Sequence, residues 1–385
     1  MIIFLANQFV GDNISSGGDV IFVQILKRIK TLSVVLAPAI IQKRLLEHFP
    51  NIKIIQSDNS NKFKSASSVI GAIQTVNRYI LRAYNSFLWL KVNAKPDDTL
   101  YLTGDFICNS LPAWLIKLIH PKINVVANFY HRNPSPFVRK GNNPLVSFFS
   151  RVLQIFSLFF IKHSASKIFA LSEEGKRELI DLNFDPRSVV ISGAGIDDRL
   201  ASKYKNSKKK NNQLIYIGRV NITKGAFDLL EILILLNSQL SSWHCHFVGQ
   251  GSKEDLIHLK SKAVKFGIDN KITIHGFLSD DEKYELLSTS RILLLPSKEE
   301  GFGIVIMEAL SLNTSVICYD LPALKNLYNK WSDVHMVPVN NQKEFAISID
   351  KIIQNNHFPK TFSQKIPTWD DIFQLQSPHL INRNK

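Results

Sequence analysis

Short apolar runs alternate with amphipathic stretches along most of the chain. In the first half the runs Met1–Ala6, Ser33–Leu36, Ile52–Gln56, Leu100–Thr103, Asn124–Phe129, Lys167–Ala170 and Ser188–Ser192 predict strands. Asp19–Lys30, Val69–Lys91 and Leu111–Ile119 predict helices between them. The alternation restarts with strands at Leu214–Ile217, Cys245–Val248, Ile272–Phe277, Ile292–Leu295 and Val316–Tyr319, and helices at Phe227–Leu236, Asp280–Ser288 and Ile304–Leu310. Strands alternating with helices imply an α/β fold with parallel sheets, which bind ligands at the strands' carboxyl ends. A chain of 385 residues holds two domains of ordinary size.

Between the halves lies Ala201–Asn212, ASKYKNSKKKNN, which is polar, lysine-rich and without periodicity. It reads as a linker. The domains expected are therefore residues 1–200 and 213–365, with 201–212 between them and a tail at 366–385. The most apolar segment, Pro144–Ile161, is interrupted by Arg151 and Gln154. As a helix it covers about 27 Å at 1.5 Å per residue, and it reads as a buried or interfacial helix.

The densest chemistry lies in Leu293–Leu310, LLLPSKEEGFGIVIMEAL. A strand end, Pro296-Ser297, two carboxylates, Gly301-Phe302-Gly303 and a helix follow in that order. This is how α/β proteins aim a helix N-terminus at an anion. Glu300 falls at the helix mouth. Glu308 falls roughly 1.5 turns inside, about 8–9 Å along the axis. That separation suits the two hydroxyl-bearing ends of one elongated ligand with a diphosphate between them, as in a nucleotide sugar. An ordinary strand–loop–helix with surface glutamates has the same pattern. Earlier, Gly218-Arg219 and Lys224-Gly225 flank a loop leaving a strand. Arginine binds phosphate bidentately and lysine as a point charge. Gly249-Gln250-Gly251 makes another strand-end turn, and Phe277 closes ITIHGF. In the first half, Ser16-Gly17-Gly18 separates a strand from a helix, although such a pair is also an ordinary turn. Asp105, His131 (with Arg132) and Ser172 each follow a predicted strand. Asp105 is a candidate acceptor-side base or orienting group.

The segment Glu300–Glu308 resembles the E-x7-E signature of the GT-B-fold, retaining glycosyltransferases of family 4, also called glycosyl transferases group 1. Gly218–Gly225 is similar to that family's G-R-x(4)-K-G, and Val248-Gly249-Gln250-Gly251 to its V-G-x-G. The resemblance implies two Rossmann-like, doubly wound domains facing each other across a cleft. It implies a nucleotide-diphosphate sugar as donor substrate, with no cofactor and no metal. Glu300 would contact the donor sugar hydroxyls and Glu308 the ribose. Arg219 and Lys224 would stabilise the departing diphosphate. Gly17, Gly18, Gly218, Gly249, Phe277, Gly301, Phe302, Gly303 and Ile304 would line the donor. A histidine like His131 would face the donor sugar, so that His131, Arg219, Lys224 and Glu300 form the catalytic set. The tail Trp369–Leu380 would pack back on the first domain. The match is close over residues 214–325 and only in pattern before that. One departure stands in Ile191–Asp197, where Ala194 replaces the family's usual asparagine.

Charge adds a second feature. The net charge is +15, and residues 1–170 hold 20 Lys+Arg against 7 Asp+Glu. A basic first half implies a polyanionic partner: an anionic membrane surface, a lipid diphosphate or a nucleic acid. Two stretches there, Arg78–Lys91 and Phe137–Lys140, mix bases with aromatics as membrane-surface segments do. Core helices with solvated lysines would read the same. The acceptor is accordingly a sugar or a lipid-linked sugar, and no nucleic acid is expected. Three scattered cysteines, Cys108, Cys245 and Cys318, fit a reducing, cytoplasmic setting, peripheral to the membrane. No Asp-x-Asp occurs, which argues against carboxylates holding a cation on the diphosphate. The reading is a hexosyltransferase of cell-envelope polysaccharide or glycolipid assembly. A sugar-nucleotide epimerase on the same fold, and a non-catalytic basic module, are the alternatives.

Overall fold

A computed structural model of the chain describes residues 1–10, 16–59, 69–133, 144–208, 212–355 and 365–380. The sequence expectations at Phe137–Lys140 and residues 209–211 lie outside them. The chain forms two compact units, Met1–Gly193 with Asp370–Lys385, and Ala194–Trp369.

The first unit is built on seven parallel strands. They are β1 (Ile2–Leu5), β2 (Ser33–Ala37), β3 (Lys53–Gln56), β4 (Thr99–Leu102), β5 (Asn124–Phe129), β6 (Lys167–Ala170) and β7 (Val189–Ile191). Their order is β3-β2-β1-β4-β5-β6-β7. The central strands are short and apolar on both faces because helices cover both. On one face Leu5, Leu36, Leu102 and Ala127 share a core with Leu90, Ile116, Leu158 and Ile161 of three helices, Val69–Asn93, Ile107–Ile119 and Pro144–Lys162. On the other, Phe4 stacks against Phe22 at 5.6 Å and Tyr101 at 5.0 Å. There Tyr101 Oη donates to Gln376 Oε1 of the tail helix Trp369–Leu380 at 3.0 Å.

The second unit has β8 (Gln213–Ile217), β9 (His244–Val248), β10 (Ile272–Gly276), β11 (Ile292–Leu295), β12 (Ser315–Tyr319) and β13 (Val334–Val337). All are parallel, in the order β10-β9-β8-β11-β12-β13. The strand order reverses between β1 and β4 in the first sheet and between β8 and β11 in the second. Crevices at such reversals are where open α/β sheets bind ligands. The edge strand β13 is not among the strands that periodicity predicts. It is only four residues long, and half of it is incompletely buried.

One sequence expectation changes and another is narrowed. The boundary lies at Gly193/Ala194 rather than in the lysine-rich stretch, and the helix Asp198–Tyr204 occupies that stretch's first turn. The segment before it is tied to the second unit. Asp197 N–H donates to Tyr284 Oη at 3.3 Å, Ile196 bridges Thr368, and Lys203 pairs with Asp281 at 2.8 Å. The helix Pro144–Lys162, read as buried or interfacial, is buried along one face only, at Ser147, Gln154, Ser157, Leu158 and Ile161. It is long and apolar enough to cross a membrane, yet it rests on the sheet through Leu158 and Ile161 and leaves Phe148, Phe156 and Phe159 about half exposed.

Candidate active site

In the second unit, three loops leave the carboxyl ends of β8, β9 and β11 and touch backbone to backbone. Glycine makes that approach possible. Gly225 has φ 71°, and a Cβ there would stand 1.8 Å from Pro296 O. Gly249 has φ 136°, and a Cβ there would stand 2.0 Å from Gly218 O. Hydrogen bonds lock the junction. Gly218 N–H donates to Val248 O at 2.9 Å, Gly249 N–H to Gly276 O at 2.7 Å, and Lys298 N–H to Thr223 O at 2.9 Å. Beneath it, the buried Tyr216 donates to Arg219 O at 2.6 Å and Lys224 O at 3.2 Å. Burial pushes this phenol well above its ordinary value, so it stays a donor. Lys298 Nζ pairs with Asp228 at 2.8 Å, anchoring the 296–303 loop to the helix Ala226–Asn237.

Onto this junction come three cations, Arg219, Lys224 and Lys283, and two carboxylates, Glu300 and Glu308. Lys224 Nζ lies 2.6 Å from Glu300 Oε1 and 3.4 Å from Glu299 O. Arg219 is exposed, with no ion pair among the described residues. The helix Ile304–Ser311 starts at Gly303, φ 71°, without a side-chain cap. Ile306 N–H donates to Gly303 O at 2.8 Å, and the N–H groups ahead of it keep their positive partial charge for an anion. The Phe302 carbonyl accepts from Tyr328 Oη at 3.0 Å, which fixes the loop just ahead. One turn on, Glu308 is buried at 5% exposure. Its Oε1 accepts from Lys283 Nζ at 2.9 Å, and its Oε2 has no hydrogen-bond partner among the described residues. Burial raises the Glu308 carboxyl, with Lys283 pulling it down. Burial also opposes the charge on Lys283, but Glu308 and Asp280 outweigh it and raise that ammonium. Phe277, half exposed, follows Gly276, whose carbonyl holds Gly249.

In the first unit, the crevice between β1 and β4 is held by polar groups. Arg82 is fully buried, 2.6 Å from Asp58, and donates at 2.7 Å to both Asn7 O and Phe9 O. Ser16 caps the helix Gly17–Leu26 in a capping box with Asp19. Gly18 sits under Tyr130, where a Cβ would come within 2.4 Å of the ring, and Tyr130 Oη donates to Gly18 O at 3.2 Å and to Thr103 O. Asp105 is buried and accepts from Gln154 Nε2 at 2.6 Å. That amide also donates to His131 O at 2.9 Å, while Gln154 Oε1 accepts from Asn133 N–H at 2.7 Å. Burial raises the Asp105 carboxyl to about 6, against the lowering effect of the Gln154 bond. A hollow of about 520 Å³ beside Trp243, His244 and His246 includes none of these residues.

A match by family sharpens this picture. Residues 197–369 match the family described as glycosyl transferases group 1. An uncharacterised glycosyltransferase of Haemophilus influenzae is 23% identical over 217 residues, 56% of this chain and 60% of that protein. The capsular polysaccharide biosynthesis glycosyltransferase CapH of Staphylococcus aureus is 25% identical over 244 residues, 62% and 65% of the two chains. In both cases the match spans less than two thirds of the relative. By structure, Anabaena HepE, solved with UDP and glucose, superposes with a TM-score of 0.67 at 15% identity, over 98% of this chain and 93% of that one. The chain thus resembles the group 1 glycosyltransferases and has two Rossmann-like units in the manner of the GT-B fold.

Within the group 1 segment, the structure brings Gly218, Arg219, Lys224, Gly249, Glu300, Gly301, Phe302, Gly303, Ile304 and Glu308 to the carboxyl ends of one sheet. Glu300 and Glu308 do not share a partner; each holds its own lysine. Gly18, Asp105 and His131 gather at the carboxyl ends of the other sheet, with Gly17 exposed at the helix start. Ser172 is a helix cap, accepting from Gly175 N–H at 3.2 Å. Sequence reasoning passed over Lys283, which lies among acidic residues at the start of the predicted helix Asp280–Ser288. It also passed over Gln154 as a polar residue tying Asp105 to the His131 backbone; the only signal was a polar break in an apolar helix.

Proposed function

We propose that the chain is a retaining hexosyltransferase that moves a sugar from a nucleoside-diphosphate donor to an acceptor hydroxyl. One observation carries the reading: Oε2 of buried Glu308, without a partner among the described residues, one turn inside a helix that lacks a side-chain cap and whose mouth holds Glu300, Lys224 and Arg219. An unsatisfied buried carboxylate oxygen costs free energy until a donor fills it. A ribose hydroxyl does so, the diphosphate lies at the helix N-terminus, and Glu300 takes sugar hydroxyls. In the reaction the bond from the anomeric carbon to the diphosphate oxygen breaks. Its electron pair leaves with the diphosphate, whose growing charge Arg219 and Lys224 stabilise. The acceptor oxygen then bonds to the anomeric carbon on the face the diphosphate left, and its proton passes to Asp105 as the acceptor-side base. Lys224 exchanges its Glu300 contact for phosphate as the donor enters. In the first unit, Asp105 serves the acceptor and His131 the donor sugar. These protein cations supply the charge that a metal would otherwise bring. The acceptor is a sugar or lipid-linked sugar of envelope polysaccharide or glycolipid assembly, and the setting is cytoplasmic.

The test is a thermal-shift screen of UDP, GDP, ADP and their sugar conjugates without metal. Ligand at 100 times its dissociation constant stabilises the protein by about 2.7 kcal/mol. A shift with one base, abolished in the Arg219→Ala/Glu308→Gln double variant, is expected. Binding that survives that variant would refute the site. Conversion of the donor with no acceptor present would make the enzyme an epimerase.

A further inference from the structure

The first unit presents a surface that the transfer chemistry leaves unexplained. The helices Val69–Asn93, Ile107–Ile119 and Pro144–Lys162, of 25, 13 and 19 residues, pack side by side on one face of the sheet. None of them contains an Asp or Glu, whereas Arg78, Arg82, Lys91, Lys117, Arg151 and Lys162 lie along them. Their outer positions are apolar. On the third helix Leu145, Phe148, Phe149, Ile155, Phe156 and Phe159 are 43–56% exposed, and they recur at the three- and four-residue spacing of a single stripe. On the first helix Ile73, Ile80, Leu81, Tyr84, Leu88 and Val92 are exposed, Val92 by 82%. Soluble proteins seldom leave so many large apolar groups together in water.

Cations end both stripes. Lys91 follows Leu88 by three residues and Lys162 follows Phe159 by three, so each shares a face with its apolar neighbour. Both lysines are exposed. Meanwhile the inner side of the third helix is committed. Leu158 and Ile161 enter the core, Ser157 Oγ bonds Ser110 Oγ at 2.8 Å, and Gln154 holds Asp105. A helix whose inner face is polar and tied to the sheet cannot also be wrapped by lipid.

We infer that this face docks, without spanning, on an anionic lipid bilayer. Its aromatic stripe enters the boundary between headgroups and acyl chains, and its acid-free helices meet the negative surface potential. Charge selects this occupant. A second copy of the chain would set one cationic, acid-free face against another, whereas anionic lipid complements both features at once. The inference does not depend on the proposed transfer activity, since it rests on surface residues outside the donor site.

The experiment is flotation of the full chain with phosphatidylcholine vesicles, with and without phosphatidylglycerol. Binding to the anionic vesicles that weakens as salt rises is expected. Phe148→Ser/Phe156→Ser/Phe159→Ser should weaken it by more than about tenfold. Lys91→Glu/Lys162→Glu should remove its salt-sensitive part, with nucleotide-induced thermal shifts retained. The charge variant keeps the test decisive if the triple serine variant folds poorly. No binding to anionic vesicles, or binding indifferent to the charge variant, would overturn the inference. So would a concentration-dependent dimer in vesicle-free solution that the phenylalanine substitutions dissolve.

Discussion

Substitution of Glu308 separates ligand binding from folding. The carboxylate has two oxygens in different settings: Oε1 pairs with Lys283 at 2.9 Å, and Oε2 has no hydrogen-bond partner among the described residues. Glu308→Ala removes both. Breaking a buried pair by deleting one partner costs about 3–5 kcal/mol, because the other charge stays behind. Lys283 is 17% exposed and retains Asp280 at 3.1 Å, so the lower end applies, about 3 kcal/mol. In a unit of this size that lowers the unfolding midpoint by roughly 6–12 °C. A loss of nucleotide binding in this variant would therefore be ambiguous. Glu308→Gln is the sharper change. It leaves an oxygen for Lys283 and replaces the Oε2 acceptor by an amide donor. Losing one hydrogen bond to a charged acceptor costs about 1.5–3 kcal/mol, which weakens nucleoside diphosphate binding about 10- to 150-fold. Calorimetric titration of both variants, alongside thermal unfolding, reads the two effects separately. Adding Lys283→Met to Glu308→Ala should recover much of the lost stability without restoring binding. If Glu308→Gln bound nucleotide like the unaltered protein, Oε2 would not be the hydroxyl acceptor, and the orientation of the donor argued above would fail.

Other expectations follow from the same geometry. Asp105, raised from its ordinary 3.8 to about 6 by burial, must ionise to act as a base, so activity should rise through about pH 6. Gln154→Leu removes the bond that lowers this value and should move that limb of the pH profile upward, whereas an unmoved limb would detach Asp105 from the chemistry. Because the native carboxyl ionises later than the unfolded one, its contribution to stability is complete below pH 3.8 and lost as pH rises through about 6, which unfolding curves across that range would register. Gly225→Ala places a Cβ 1.8 Å from a backbone carbonyl at positive φ. No side-chain rotation relieves that clash, so the unit should lose more than about 2 kcal/mol, with nucleotide binding lost as the 219–224 and 296–303 loops part. Transfer measured in excess chelator should persist; loss that magnesium restores would show that Arg219 and Lys224 do not suffice.

The linear chain already carried the fold class and most of the loop residues that the second sheet gathers at its carboxyl ends. Short apolar runs alternating with helical stretches are a local signature, and parallel sheets follow from it. The spacings of Arg219 to Lys224 and Glu300 to Glu308 are local too, since each pair spans one loop or one helix start. What the chain could not declare was anything set by contacts far apart in sequence. The strand order that makes a crevice of β8 and β11 is one such case, and the 1.8 Å approach that obliges Gly225 to be glycine is another. Lys283 gains meaning only when its helix packs beside Glu308, and Gln154 only when an apolar helix lays it on Asp105. The unit boundary moved to Gly193/Ala194 because hydrogen bonds and ion pairs at Asp197 and Lys203, invisible to composition, outweigh a polar, lysine-rich sequence. Local pattern fixes which elements form, since it depends on neighbours three or four residues apart. Burial, pairing and the choice of which polar group faces which are properties of packing, and only the tertiary structure decides them.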